Sequence, residues 1–180
     1  MFDCDEPNVI PYSEIAPYYE IIKKEDSFLK IIDLLLKEKK ISDLLAEEMK
    51  FLFGNLTSAF SYKEVKTAVD SYVDHFLKND KLSNEERIIC WGCASVAIFS
   101  CKYWKNVEHN PTNAWFQLYD KEEMQTKGKF WQVVGAVACD CAGVLVGGAV
   151  GGLLGPTGVA AGAACVGAGA SAAFVKAVIK

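Results

Sequence analysis

Residues 130–175 form a run of 46 residues with a single charged side chain, Asp140. No ordinary surface helix can be drawn through such a run, because it has no polar face to turn to water. It is long enough for two bilayer crossings of about 20 residues each. Gly155-Pro-Thr-Gly158 divides it, since proline cannot continue a helical hydrogen-bond ladder and glycine suits a turn. The expected shape is a helical hairpin with legs 130–154 and 158–179, turning at Gly155, Pro156 and Gly158.

The spacing of the small residues narrows this further. Gly143, Gly147, Gly151 and Gly155 recur at four-residue steps, and Gly158, Gly162 and Gly167 stand in the second leg beside Ala160, Ala164, Ala168 and Ala172. A glycine inside a helix costs about 1 kcal/mol relative to alanine, so a row of them calls for a compensating contact. Four-residue spacing supplies one by laying a smooth groove along one face, where a second helix approaches backbone to backbone. On these residues the last quarter of the chain resembles glycine-zipper membrane-active proteins, the motif class of bacteriocin-like and pore-forming helical hairpins. The resemblance implies membrane insertion and self-association.

The flanks of the run fit that topology. Lys127 and Lys129 precede Phe130 and Trp131, and Lys176 and Lys180 close the second leg, so a hairpin gathers four lysines and an aromatic belt on one side as interfacial anchors. Asp140 would be an intramembrane charge costing about 2.5–3.5 kcal/mol on insertion scales. It either lines a pore or cation site, or is neutralised near the headgroups or by a hydrogen bond across the hairpin. The competing expectation for the whole tail is a buried hairpin packed on the rest of the protein, because glycine and alanine bring little apolar area.

Residues 1–129 have a different character. They hold 17 basic and 22 acidic residues, whereas residues 130–180 hold two lysines and one aspartate. Residues 1–129 are therefore expected to form a soluble α-helical domain with an irregular, proline-punctuated start, and 130–180 a separate membrane-associating hairpin. Phe28, Leu29, Ile31, Ile32, Leu35 and Leu36 make one helical stripe over 26–39. Leu44, Leu45, Met49, Leu52 and Phe53 make a second, expected to end at Gly54-Asn55. Ser61…Glu64 and Ser83…Glu86 have capping-box spacing and open two more helices. The last of these, 87–104, is uncharged over 88–101, which spans only about 21 Å as a helix. It is too short for a bilayer and is expected to be the central helix of the bundle. A polar connector over 106–125, with Trp115, Phe116 and Tyr119 as docking side chains, completes an all-α chain.

Chemistry-bearing constellations are sparse. Cys90-Trp-Gly-Cys93 has CxxC spacing, and Cys101 and His109 would complete four soft ligands, but the pair lies inside a helix and has no second CxxC. Seven cysteines without an export signal read as reduced thiols, several acting as small hydrophobes. His75 lies beside the polar edge of its helix, where solvation is the default. The acidic pairs Glu47-Glu48, Glu85-Glu86 and Glu122-Glu123 read as surface or helix-dipole charges. The glycine run lacks the Lys-Ser/Thr of a phosphate loop. A net charge of −4 with Arg87 as the sole arginine argues against nucleic acid. Neither a metal nor a cofactor is expected.

The favoured expectation is a non-enzymatic protein synthesised in the cytoplasm, without a secretory signal peptide, whose hairpin associates with membrane and self-assembles in it or permeabilises it. Its partners would be lipid and either copies of itself or another protein. A second expectation is a membrane-anchored or soluble interaction protein, and a third a thiol or metal site at Cys90, Cys93 and Cys101.

Overall fold

The computed structural model describes Ser13, residues 16–18, Ile21 and residues 27–113 and 128–151. These residues are all-α, with no strand among them: Ser13, residues 16–18 and Ile21 are helical, and five further helices follow. They are α1 (Ser27–Lys37), α2 (Asp43–Thr57), α3 (Tyr62–Leu77), α4 (Asn84–Glu108) and α5 (Gly128–Gly151). Each helix from α1 to α4 packs on the next, and α5 lies against α1, α2 and α4.

Local signals account for most helix ends. α1 closes in a Schellman arrangement, with Lys40 N–H donating to the Leu35 carbonyl and Lys39 N–H to that of Leu36. Lys39 takes the left-handed conformation at φ 56°, where glycine is usual, and the buried side chain of Ile41 holds the turn against the core. The Ser42 side chain accepts from Leu45 N–H and caps α2. At α3 the Ser61 hydroxyl accepts from Glu64 N–H, while the Glu64 carboxylate accepts from Phe60 N–H, one residue before the cap. At α4 both arms of the Ser83–Glu86 capping box are formed. The Glu86 carboxylate also accepts from the Ser42 hydroxyl, which joins the starts of α2 and α4.

Two sequence expectations need correction. α2 does not stop at Gly54-Asn55 but continues to Thr57 and caps at Ser58. Leu56 is fully buried, and its burial draws one more turn onto the core, while Asn55, Thr57 and Ser58 return their side chains to carbonyls one turn back. Nor is α4 the central helix. Trp91, Phe99 and Tyr103 stand 47%, 71% and 45% exposed along its outer side. The enclosed helix is α5, in which every residue from Val133 to Gly151 is buried.

One hydrophobic cluster runs from Tyr18 through α1–α4 to Val150 and so crosses the compositional break near residue 129. Its largest fully buried members include Trp104, Tyr72, Phe76, Met49, Leu52 and Leu145. The second leg of the expected hairpin, its turn at Gly155, Pro156 and Gly158, and the docking residues Trp115, Phe116 and Tyr119 lie outside the described residues.

Candidate functional site

The interface of α4 and α5 brings together the residues that the sequence marks as unusual. The helices run antiparallel: Gly92 faces Val144, Cys93 faces Cys141, and Ser100 faces Asp140. Gly92 is what allows the approach. A Cβ built on it would stand 2.9 Å from Cγ1 of Val144, inside any ordinary contact distance. Next along the interface, the Cys93 thiol points at the Cys141 carbonyl at 3.5 Å and the Cys141 thiol at the Cys93 carbonyl at 3.4 Å. Side chains this small let two backbones lie close, the role that small residues play where helices pack in lipid.

Asp140 sits in this seam, 8% exposed, and accepts a 2.5 Å hydrogen bond from the Ser100 hydroxyl. The bond crosses from α5 to α4 within the bundle, between the first leg of the expected hairpin and the helical domain. A carboxylate buried this way is tolerated because a donor is aimed at it. Gly143, Gly147 and Gly151 follow Asp140 by three, seven and eleven residues, so all four share one arc of α5. All three glycines are buried. Lys129, Phe130 and Trp131 fall in the first turn of α5, after Gly128. Lys127, Gly155, Pro156, Gly158, Gly162, Gly167, Lys176 and Lys180 lie outside the described residues.

The cysteines of α4 behave as core residues. Cys90 and Cys93 are free and buried, as are Cys139 and Cys141 in α5, and Cys101 is buried with them. Burial pushes the Cys90 thiol up to about 12, against which the neighbouring Tyr72 hydroxyl pulls slightly down. That hydroxyl is itself buried beside Cys90 without a well-formed hydrogen bond. Burial likewise raises Cys93 well above an ordinary thiol. Thiols held protonated at neutral pH are poor nucleophiles and poor metal ligands. Among the described residues no three His, Cys, Asp or Glu side chains converge as a metal site. His109 is exposed at the end of α4, with its ring nitrogen 2.9 Å from the Lys105 carbonyl.

One of the paired acids, Glu48, needs a further correction, whereas His75 is exposed as expected. Glu47 is on the surface, but Glu48 is 1% exposed. Its carboxylate meets His75 Nδ1 at 2.9 Å and accepts from the Asn79 amide at 2.9 Å. His75 stacks on Phe51 with ring centroids 4.5 Å apart, and Arg87 donates to the Asn79 carbonyl at 2.6 Å. This cluster ties α2, α3 and α4 together at one end. Reading adjacent acids as surface charge missed it, although a histidine near the polar edge of α3 was a usable signal that a carboxylate from another helix lay within reach.

A cleft of about 400 Å³ opens where the α1–α2 turn, the start of α4 and the end of α5 meet. Lys39, Lys40, Ser42, Glu85 and Glu86 line it with Gly148 and Ala149. Its two lysines and two glutamates balance in formal charge, and Glu86 is already engaged by the Ser42 hydroxyl and the Ser83 amide. No protein-family model, curated protein or solved structure matches the chain.

Proposed function

We propose that the protein is a membrane-associating one, in which the bundle sheathes an apolar helix that it releases into lipid. The carrying observation is that residues 133–151 combine a mean hydropathy of 2.0 with complete burial. A segment of 19 residues rises about 28 Å as a helix, close to the hydrocarbon thickness of about 30 Å. Its small-residue row is a costly choice for a helix that serves only as a core in water. The row suits a helix that exchanges one close-packed neighbour for another, with Gly143, Gly147 and Gly151 continuing into the zipper of the second leg. Self-association and permeabilisation would follow from the glycine-zipper resemblance, with Asp140, freed from Ser100, as the one charge carried into or along the membrane.

The same burial favours a second reading, in which α5 is a permanent core helix and the protein binds another protein. One experiment separates the two. Full-length protein is added to dye-loaded vesicles and probed with a bulky, water-soluble maleimide. Release of α5 uncovers Cys93 on the face of α4 that α5 had covered, so labelling of Cys93 rises with vesicle concentration and dye escapes. Asp140→Asn, which relieves the insertion cost and weakens the Ser100 contact, increases both. Cys93 protected at every vesicle concentration, with no leakage, leaves α5 as a fixed core and sinks the insertion reading.

A further inference from the structure

The outer face of α4 has no part in the sheathing of α5, and it is not the surface of an ordinary bundle helix. Trp91, Ser95, Phe99 and Tyr103 recur at four-residue steps and are all exposed, forming a strip about 18 Å long. Trp91 is anchored at one end by an edge-on contact with Phe76 of α3, centroids 5.2 Å apart, and Tyr103 at the other by an edge contact with Trp104 at 5.3 Å. Rings held at their bases by the core present fixed faces outward.

The charge along this strip is one-signed. Between Trp91 and Val107 the charged residues are Lys102 and Lys105, both exposed, in a chain whose net charge is −4. Lys102 lies on the same arc as Trp91 and Phe99, and Lys105 sits 5.5 Å from the Tyr62 ring centroid. On the neighbouring α3, Asp70 is paired with Lys66 at 2.6 Å, Glu64 accepts from the Phe60 amide, and Asp74 is exposed. Trp and Tyr at the ends, Phe between them and lysines alongside are the composition of a helix lying in a membrane interface. There amphipathic rings sit among headgroups, an apolar ring enters the acyl boundary, and cations meet lipid phosphate.

We infer that this strip is the surface by which the folded bundle docks on an anionic lipid membrane, before α5 leaves the core. The inference rests on the membrane reading above and names the step that precedes insertion. It gives α4 and α5 separate tasks, one to hold the protein at the surface and the other to enter.

The test uses the full chain and vesicles of equal phosphatidylcholine and phosphatidylglycerol. Phe99→Glu replaces a side chain 71% exposed, so the fold and its melting temperature are retained. The expected result is a loss of vesicle co-sedimentation of at least about tenfold, the scale of withdrawing one large apolar side chain from lipid. Lys102→Glu weakens binding to these vesicles and leaves any residual binding to pure phosphatidylcholine unchanged. Wild-type binding retained in both variants overturns the inference while leaving membrane insertion standing. Tight, salt-sensitive binding of wild type without dye release or Cys93 labelling upholds the docking face and overturns insertion. Concentration-dependent dimers that Phe99→Glu abolishes, with vesicle binding unchanged, assign the strip to a second copy of the chain and overturn the inference.

Discussion

α4 and α5 have almost the same length, 25 and 24 residues, and lie against each other, yet they are built on opposite plans. α4 opens with a complete capping box, carries charges at both ends and turns large aromatic rings outward. α5 has one charge after its first turn, no bulky aromatic beyond Trp131, and every residue from 133 to 151 buried. Local signals define α4, which therefore tolerates a wet face. Enclosure defines α5, whose glycines and cysteines make a weak helix by propensity and a close-fitting one by contact. Stability in this fold is thus distributed unevenly, with the less intrinsically helical element at the centre.

The largest test of that contrast sets one side chain from each helix against the other. Leu145→Ala removes a fully buried leucine from α5 and is expected to lower unfolding free energy by about 2–5 kcal/mol, read by denaturant titration. Phe99→Ala removes a larger side chain from α4 and is expected to change stability by no more than about 0.5 kcal/mol. Equal losses would mean that the outer strip of α4 is covered in solution, and the contrast would break.

A second test uses pH. Burial raises the Cys90 thiol to about 12 and Cys93 well above an ordinary thiol, so folding holds protons that the unfolded chain gives up more readily. Stability from these groups is fully present below the ordinary thiol pKa of 9.0 and is lost as pH rises toward the folded values. The expected decline is at most about 1.4 kcal/mol per pH unit for each thiol. Cys90→Ala should make the alkaline decline of the melting temperature shallower. An unchanged slope would mean that Cys90 does not titrate with unfolding.

A third test concerns the buried carboxylate that ties α2, α3 and α4 together. His75→Ala leaves the buried Glu48 carboxylate with Asn79 alone and is expected to cost about 1–2 kcal/mol, because His75 is itself half-exposed. Glu48→Gln in the same background should recover part of the loss by removing the charge. Absence of that recovery would assign the cost to the lost Phe51–His75 stacking instead.

Much of the fold was legible in the sequence wherever a local signal decided the outcome. The Ser83–Glu86 box, the Ser61 cap and the apolar stripe Ile31, Ile32 and Leu35 translate directly into helix starts and a buried face. The role of α4 was not legible, because an uncharged helix carrying Trp91, Phe99 and Tyr103 has the same composition whether those rings face a core or the outside. Only the presence of a still more apolar neighbour settles which helix is enclosed. Asp140 was legible as exceptional, but its partner was not, since a serine forty residues earlier carries no mark of the hydrogen bond it will make. Glu48 was misread because adjacent acids differ by about 100° around a helix, enough to put Glu47 in water and Glu48 in the core.

The smallest and sharpest test compares two glycines in helix interiors. Gly54 in α2 has nothing within 4 Å of the place its Cβ would occupy, whereas Gly92 in α4 would drive a methyl group to 2.9 Å from Val144. By propensity alone each Gly→Ala change should stabilise by about 0.5–1 kcal/mol. Gly54→Ala is expected to give that gain in full, raising the melting temperature. Gly92→Ala must rotate or push aside Val144, the residue directly after Gly143 in the small-residue row of α5, and is expected to lose the gain. If the two substitutions stabilise equally, the α4–α5 seam has slack, and close approach is not the reason glycine is needed there. If Gly92→Ala destabilises and also increases Cys93 labelling in vesicles, the seam is both a packing contact and the catch that retains α5. One methyl group would then separate a helix that is merely buried from one that is held back.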